Sequence, residues 1–354
     1  MAASVGLDIG TEAVRLAAVD GSRGRLILRR YGAMPLPEGA VVAGEVVDEG
    51  AVTEAVAALF KRVKVSRKRV VVGVANQRVI VRQVDVPQMA EAELIESLPF
   101  QVQDAIPIPV DEALLDYVPV EEFVTPEGEP MLSILVVAAQ REMVDGITRV
   151  TDGAGVSLRA LDLIPFALVR SVLGSDPGIE GTEGVVDIGG SITQIVLVRN
   201  GVARFVRILP RGGEDFTTAL ADGLSIEREE AEALKRRVGV DPVGSPTTGE
   251  GDEDLARRLL TRQADAFVEE VRSSVDYHLS QGGSRAISRL VVAGNGARLP
   301  HLANRLGRAL GARIEPARVL ESVELGRVEL SQEDLDAAQP VLPTSIGLAM
   351  WGIV

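Results

Sequence analysis

Two stretches of the chain follow one plan, and that plan limits the fold more than any other feature of the sequence. Val5–Val19 reads VGLDIGTEAVRLAAV and Val185–Val198 reads VVDIGGSITQIVLV. Each is an apolar run ending in Asp-Ile-Gly, followed by a small hydroxylated residue and a second apolar run. Runs this short, broken by glycine, predict a buried strand, a turn and a second strand. One copy in each half of the chain predicts a duplicated α/β architecture.

A strand–glycine–strand turn brings backbone N–H groups close to an anion with no Cβ in the way. Gly10 and Thr11 in the first turn, and Gly189, Gly190, Ser191 and Thr193 in the second, have the sizes needed to grip phosphate oxygens. Asp8 and Asp187 stand just before those turns, where a carboxylate can hold a hydrated Mg²⁺ against a substrate phosphate. Either hairpin alone reads as well as an ordinary glycine turn capped by Asp. Two copies favour a clasp on one polyphosphate. A third glycine turn, Gly294-Asn295-Gly296-Ala297, follows the apolar Leu290–Ala293. Its expected job is to let a flat purine and its ribose lie against backbone.

At 354 residues and 46% hydrophobic composition the chain can build two compact domains. Its net charge of −14 argues against nucleic acid as the main partner, because Lys and Arg supply most of that affinity. Without cysteine there is no disulfide, thiolate chemistry or zinc–thiolate site, and the two histidines, His278 and His301, cannot make a multi-histidine metal site. The N-terminus starts directly on a strand pattern, and no run of about 18 apolar residues occurs. A soluble cytoplasmic protein is expected.

Between the two hairpins, Asp48–Val63 has the period of an amphipathic helix and Val70–Val74 that of a buried strand. The basic run Lys61–Arg69 lies between them, and reads as a helix end with cations complementing the macrodipole, or as a contact for anionic lipid. From Arg78 the pattern changes to alternating strands, a helix over Ala90–Ala105, the proline-rich Ile106–Val110 and a further helix from Arg141. Residues 78–157 are therefore read as a small α/β unit inserted in the first lobe. In the second half Arg211–Leu224, Glu227–Val238 and Leu255–Leu279 are helical, and Pro343–Trp351 is a terminal helix that returns to the core.

These motifs, in this order, resemble the superfamily of actin, the large heat-shock chaperone and sugar-kinase ATPases. Asp8–Thr11 is similar to its first phosphate motif, Asp187–Thr193 to the second, Gly294–Ala297 to the adenosine motif and Pro343–Trp351 to the second connecting helix. Arg211–Leu220, RGGEDFTTAL, is similar to a chaperone segment, which implies that Gly212 and Gly213 line the nucleotide site. Ala231–Lys235 resembles the chaperones' Glu-x-x-Lys pair that brackets the nucleoside. Glu232 and Lys235 lie one helical turn apart, so a solvated surface pair is the competing reading. The resemblance implies two lobes: residues 1–180, with core 1–77 and 158–180 around the insert, and residues 181–354, with core 181–206 and 286–354 around a nucleotide-covering subdomain, 207–285.

The position of the insert resembles the FtsA cell-division and PilM pilus-assembly families. Glu93–Val120, with Ile-Pro-Ile-Pro followed by Leu-Asp-Tyr, and Ala266–Leu279 resemble the PilM family in particular. FtsA proteins add an amphipathic membrane helix at the C-terminus, whereas this chain stops at MWGIV. The resemblance implies ATP or ADP with Mg²⁺, and a PilN-like inner-membrane protein whose cytoplasmic N-terminal peptide lies in a groove between insert and first lobe. It also implies a place at the inner face of the inner membrane, twitching motility, other pilus platform partners and a possible dimer or filament. Groove candidates are Phe100, Gln101 and Gln103 with Ile106, Pro107, Ile108 and Pro109; ordinary packing of the insert on its host explains them as well. The chaperones carry Asn-Glu-Pro where this chain has Leu163-Ile164-Pro165, so a residue that orients water is missing. At most a slow ATPase is expected, with Asp187 as the one candidate catalytic group. An FtsA-like filament former and, less favoured, a small-molecule kinase are the alternatives.

Overall fold

The structure is a computed structural model, and it describes residues 3–22, 25–65, 69–174, 181–281, 286–326 and 328–353. The apolar run before the first Asp-Ile-Gly is β1 (Ser4–Ile9), a strand buried along nearly its whole length. It turns antiparallel into β2 (Ala13–Ser22), which pairs in turn with β3 (Arg25–Pro35). A short hairpin, β4 (Val41–Val42) and β5 (Glu45–Val46), reverses through Ala43 and Gly44, both at positive φ (48° and 75°). Next comes α1 (Glu49–Val63), opened by Asp48, whose carboxylate accepts the Ala51 N–H at 2.9 Å. Its Val52, Val56, Leu59 and Phe60 are buried in the first lobe's core. Lys61 and Arg62 occupy its last turn, as the macrodipole favours. Residues 66–68 of the basic run lie outside the described residues. The strand β6 (Arg69–Val74) then returns parallel to β1.

The inserted unit is a three-stranded antiparallel sheet. Its strands β7 (Val79–Pro87), β8 (Ala113–Val124) and β9 (Pro130–Gln140) lie in the order β7-β9-β8, with α2 (Glu91–Val102) alongside. The unit has its own core of Val86, Leu94, Leu98, Val102, Ile134 and Val136. Ile106 belongs to that core at 5% exposure. Ile106, one of the groove candidates, thus packs within the insert's own core. Phe100, by contrast, is 76% exposed. Gln101, Gln103, Pro107 and Pro109 are also exposed, and Ile108 is half-buried against the insert's core.

The helix α3 (Arg141–Gly153) leaves the insert and packs Met143, Ile147 and Val150 into the host core. After it come β10 (Ser157–Leu163), parallel to β6, and α4 (Ile164–Leu168), which carries Pro165 in its first turn and runs into a π-helical turn, Val169–Leu173.

The second half repeats the first. β11 (Thr182–Ile188), buried at every position, pairs antiparallel with β12 (Thr193–Arg199), and β12 with β13 (Val202–Leu209). Three helices follow, α5 (Gly213–Leu224), α6 (Arg228–Val238) and α7 (Asp252–Gln281), and then β14 (Ile287–Ala293) parallel to β11. A 3₁₀ turn (Asn295–Arg298), α8 (Leu302–Leu310) and β15 (Arg313–Pro316) complete this sheet. Its order, β13-β12-β11-β14-β15, matches β3-β2-β1-β6-β10 of the first sheet. Each Asp-Ile-Gly thus ends a central strand, flanked by its hairpin partner on one side and a parallel strand on the other.

The sequence motifs place the C-terminal segment with the second lobe. β16 (Glu324–Leu325) instead pairs with β3, extending the first sheet, and after α9 (Gln332–Ala338) the helix α10 (Leu342–Ala349) packs against the first sheet and α4. All eight residues of α10 are buried. A helix apolar on every face signals burial without saying against what. Among the described residues no helix is long and apolar enough to cross a membrane.

Candidate functional site

The two hairpin turns close in the same way. Gly10 N–H donates to the Ala13 carbonyl at 3.1 Å, and Gly189 N–H to the Ile192 carbonyl at 2.8 Å. The turns then meet, since the hydroxyls of Thr11 and Ser191 are 2.7 Å apart. The start of α5 is fastened to the second turn, with Gly213 N–H donating to Gly189 O at 2.9 Å and Glu214 N–H to Gly190 O at 2.8 Å. Gly212 has no room for a side chain, because a Cβ there would lie 2.3 Å from Gly190 O. The third glycine turn closes in from β14. Gly294 has φ +83°, and a Cβ on it would lie 2.2 Å from Ile188 O. These three turns surround a cleft of about 400 Å³.

Asp8 and Asp187, at 7% and 8% exposure, line the cleft. Burial raises the Asp8 carboxyl, against the opposing pull of Arg15. Asp187 is pushed up to about 7, by burial first and by the negative charge of Asp8 second, with Arg15 opposing. Strand register explains the neighbours, since Asp8 lies opposite Arg15 and Asp187 opposite Gln194. Arg15 Nη1 is 3.4 Å from Asp8 Oδ2, and Gln194 Nε2 is 3.5 Å from Asp187 Oδ2. Two buried carboxylates thus have one guanidinium nearby, which contacts Asp8 and acts on Asp187 only through its charge. Among the described residues no three His, Cys, Asp or Glu gather into a metal site, so a metal bound here must take further ligands from water or from a bound molecule.

Glu232 and Lys235 of α6 line the cleft as well. They are not a solvated pair. The Lys235 side chain is 12% exposed, and its Nζ reaches Glu232 Oε2 at 2.5 Å, the Thr217 hydroxyl at 2.8 Å and Gly213 O at 3.0 Å. Burial raises the Glu232 carboxyl, but hydrogen bonds from Lys235 and Thr217 and the Lys235 charge outweigh it and hold the group at about 2. Lys235→Met is expected to raise the titration of Glu232 by roughly one to three units, read by carboxyl NMR. An unchanged titration would mean that Thr217 and Arg236 suffice.

The sequence matches the profile of the type IV pilus assembly protein PilM family over residues 6–353. The chain belongs to the PilM family. The solved structure of a PilM–PilN type IV pilus biogenesis complex aligns with a TM-score of 0.84 at 27% identity, covering 99% of this chain and 98% of that one. Cell division protein FtsA of Bacillus subtilis (strain 168) is 26% identical over 180 residues, 48% of this chain and 38% of the relative. The chain spans half or less of the length of the first FtsA relatives it matches. MreB5 of Spiroplasma citri bound to ADP shares the fold, with a TM-score of 0.53 at 12% identity over 98% of both chains. The architecture is the actin-like one.

In this PilM-family chain most of the residues singled out from sequence do meet. Asp8, Gly10, Thr11, Asp187, Gly189, Gly190, Gly213, Glu232, Lys235, Gly294, Asn295 and Gly296 all line the cleft. Four stand behind it. Ser191 bonds to Thr11, Gly212 is a packing glycine, and Ala297 is packed against the second lobe's core. Thr193 is fully buried and donates its hydroxyl to Arg211 O at 2.7 Å, so it braces the turn. Ile164, at the start of α4, is 7% exposed and lines the cleft with hydrocarbon. Sequence reasoning passed over Arg15 and Gln194, and also Arg236 and Arg298, which are exposed and line the cleft. Following the hairpin repeat to the seventh residue after each Asp would have found the first two.

Proposed function

We propose that this PilM-family chain is a nucleotide-loaded scaffold of type IV pilus assembly. It holds a nucleoside polyphosphate with Mg²⁺ in the cleft and captures the N-terminal peptide of a PilN-like membrane protein, with the nucleotide modulating that capture. The observation that carries the reading is the contact of two glycine turns, Thr11 against Ser191, beside paired buried carboxylates. Such turns suit phosphate oxygens, with Arg15 as the nearby cation. Asp8 and Asp187 fit a hydrated Mg²⁺, because two buried acids with one Arg nearby are short of positive charge. Bound Mg²⁺ would supply charge neutralisation to the phosphates. Glu232 and Lys235 suit the nucleoside's hydroxyls, and the planar guanidinium groups of Arg236 and Arg298 suit a base. Ile164 can neither orient nor activate water, so turnover is slow at best.

A second, smaller cleft of about 150 Å³ lies between the β4–β5 hairpin and α3, lined by Glu45, Glu49, Arg78, Glu142 and Arg149 among others. It supports a peptide site between insert and first lobe, with Phe100 as a more distant candidate. Ile9 and Gly44 line both clefts. Displacement of that shared wall by nucleotide alters the peptide site directly. The turn is held by Asn76 Nδ2, which donates to Gly44 O at 3.0 Å, and by Arg78 Nε against Glu45 at 2.9 Å. Held by its partner, the chain sits at the inner face of the membrane.

The test is titration of the partner's N-terminal peptide with and without saturating Mg-ATP. Coupling of this kind is expected to change peptide affinity by about fivefold or more. Equal affinities would remove the modulation, and failure to bind labelled ATP would remove the nucleotide. The FtsA likeness carries a second reading, a filament former, and ATP-dependent light scattering on lipid vesicles would favour it.

A further inference from the structure

The two hairpins superimpose in plan but differ at one functional position. Seven residues after its Asp, each hairpin places a side chain on the opposing strand, directly across from that Asp. In the first hairpin it is Arg15, a cation that partly neutralises Asp8. In the second it is Gln194, an amide that cannot neutralise anything. Gln194 is nonetheless 6% exposed and lines the cleft, and its Oε1 is buried with no hydrogen-bond partner among the described residues. A buried amide oxygen without a donor is costly to the fold, so its retention points to a donor that arrives with a ligand.

The amide's orientation follows from its neighbour. Nε2 faces Asp187 Oδ2 at 3.5 Å, the orientation that an ionised, metal-holding Asp187 requires, since its oxygens then only accept. Oε1 is therefore a buried acceptor without a donor, on the amide that meets Asp187. The ionised oxygens of a polyphosphate accept hydrogen bonds and cannot satisfy it. Glu232 and Lys235, which suit a nucleoside, are contributed by α6 and have no contact with Gln194 among their hydrogen bonds. A water on a divalent cation is a strongly polarised donor, and Mg²⁺ keeps several of its waters when bound through one or two carboxylates.

We propose that Gln194 is a positioning residue for the hydrated divalent cation, its Nε2–H donating to Asp187 and its Oε1 accepting from a metal-bound water. This rests on the nucleotide reading above and deepens it. The second hairpin thereby carries a metal-orienting amide at the position where the first carries a neutralising cation.

The experiment measures the affinity of a fluorescent ADP analogue in EDTA and across a Mg²⁺ titration, for the wild type, Gln194→Leu and Gln194→Glu. Gln194→Leu is expected to lower apparent Mg²⁺ affinity about tenfold or more, the usual effect of removing an outer-shell partner. Its metal-free nucleotide affinity is expected to stay within about twofold of wild type, because no direct contact to phosphate is lost. Gln194→Glu is expected to show a larger rise in melting temperature on adding Mg²⁺ and ADP than the wild type, since the added carboxylate is relieved only when the cation is bound. That readout stands even if the Leu variant fails to fold. Wild-type Mg²⁺ affinity in Gln194→Leu overturns the proposal, as does an equal loss of nucleotide in EDTA, or a Mg²⁺-induced melting shift in Gln194→Glu no larger than wild type. A wild-type protein that binds no nucleotide overturns both the underlying reading and this one; one that binds nucleotide without any Mg²⁺ effect overturns this one alone.

Discussion

Gly347→Val is expected to lower the melting temperature by roughly 5–10 °C and to weaken nucleotide binding with it. Gly347 lies in α10, and a Cβ on it would come 1.9 Å from Ala167 O and 2.5 Å from Ala167 C in α4. Those are backbone atoms of a second helix, so no rotamer change makes room. The helices must separate, and α10 cannot retreat toward the sheet. A Cβ on Gly6 would be 2.2 Å from Ser345 O, which shows how closely α10 already lies on β1. Separation also disturbs Arg170, which pairs with the buried Asp162 and donates to Gly347 O at 3.1 Å. Overpacking of this kind typically costs about 1–3 kcal/mol, and a clash between two backbones belongs at or above the upper end.

The functional consequence comes from what the two helices hold. Ile164 at the start of α4 and Thr344 in α10 both line the main cleft, so a shift between the helices changes its floor. Gly146→Ala provides the contrast. Its Cβ would meet nothing closer than 3.6 Å, and the change within α3 is expected to stabilise by about 0.5–1 kcal/mol. Melting curves that rank the two variants the other way would show that the α4–α10 contact is looser than its geometry requires.

The central strands were legible because a strand buried on both faces must be apolar throughout, and Asp-Ile-Gly at its end stands out against that background. The residues across from them were not. Arg15 and Gln194 are single polar positions within β-strands, and such positions ordinarily face solvent. Only strand register, counted in parallel through the two copies, shows that both face the acids. Glu232 and Lys235 were legible as a pair by their spacing, but Thr217, which joins them to α5, is contributed by a different helix and leaves no local pattern. The proline-rich Ile106–Val110 is ambiguous for a related reason. Alternating proline and isoleucine shows that one side is apolar, without showing whether that side meets the insert's own core or a partner. The return of α10 to the first sheet has the same origin, since uniform apolarity carries no address.

Asp187→Asn is expected to stabilise the nucleotide-free protein above neutral pH while abolishing its response to Mg-nucleotide. The sign follows from the raised carboxyl, at about 7 in the fold against an ordinary value of 3.8. Below the ordinary value both folded and unfolded chains carry the proton. Between there and about 7 the unfolded chain has lost it and the folded chain keeps it, so stability falls as pH rises through that window. At roughly 1.4 kcal/mol per unit, the cost by pH 8 is on the order of 4 kcal/mol, and it arises from burying a second charge beside Asp8. The Asn variant keeps the shape and removes the charge. It is expected to melt close to wild type near pH 4, at the foot of the window, and several degrees higher at pH 8. Adding Mg-ADP at pH 8 is expected to restore the wild type, because a bound dication favours the ionised carboxylate, and to leave the variant unmoved. Losing one partner of a buried charge contact costs about 2–5 kcal/mol, so nucleotide affinity is expected to fall by roughly two orders of magnitude or more. Capture of the partner peptide falls with it if the shared wall at Ile9 and Gly44 transmits occupancy. A variant with the wild-type pH slope, or one still stabilised by Mg-ADP, would place the metal elsewhere; the predicted behaviour would show a site whose acids are kept for binding at a cost to the fold.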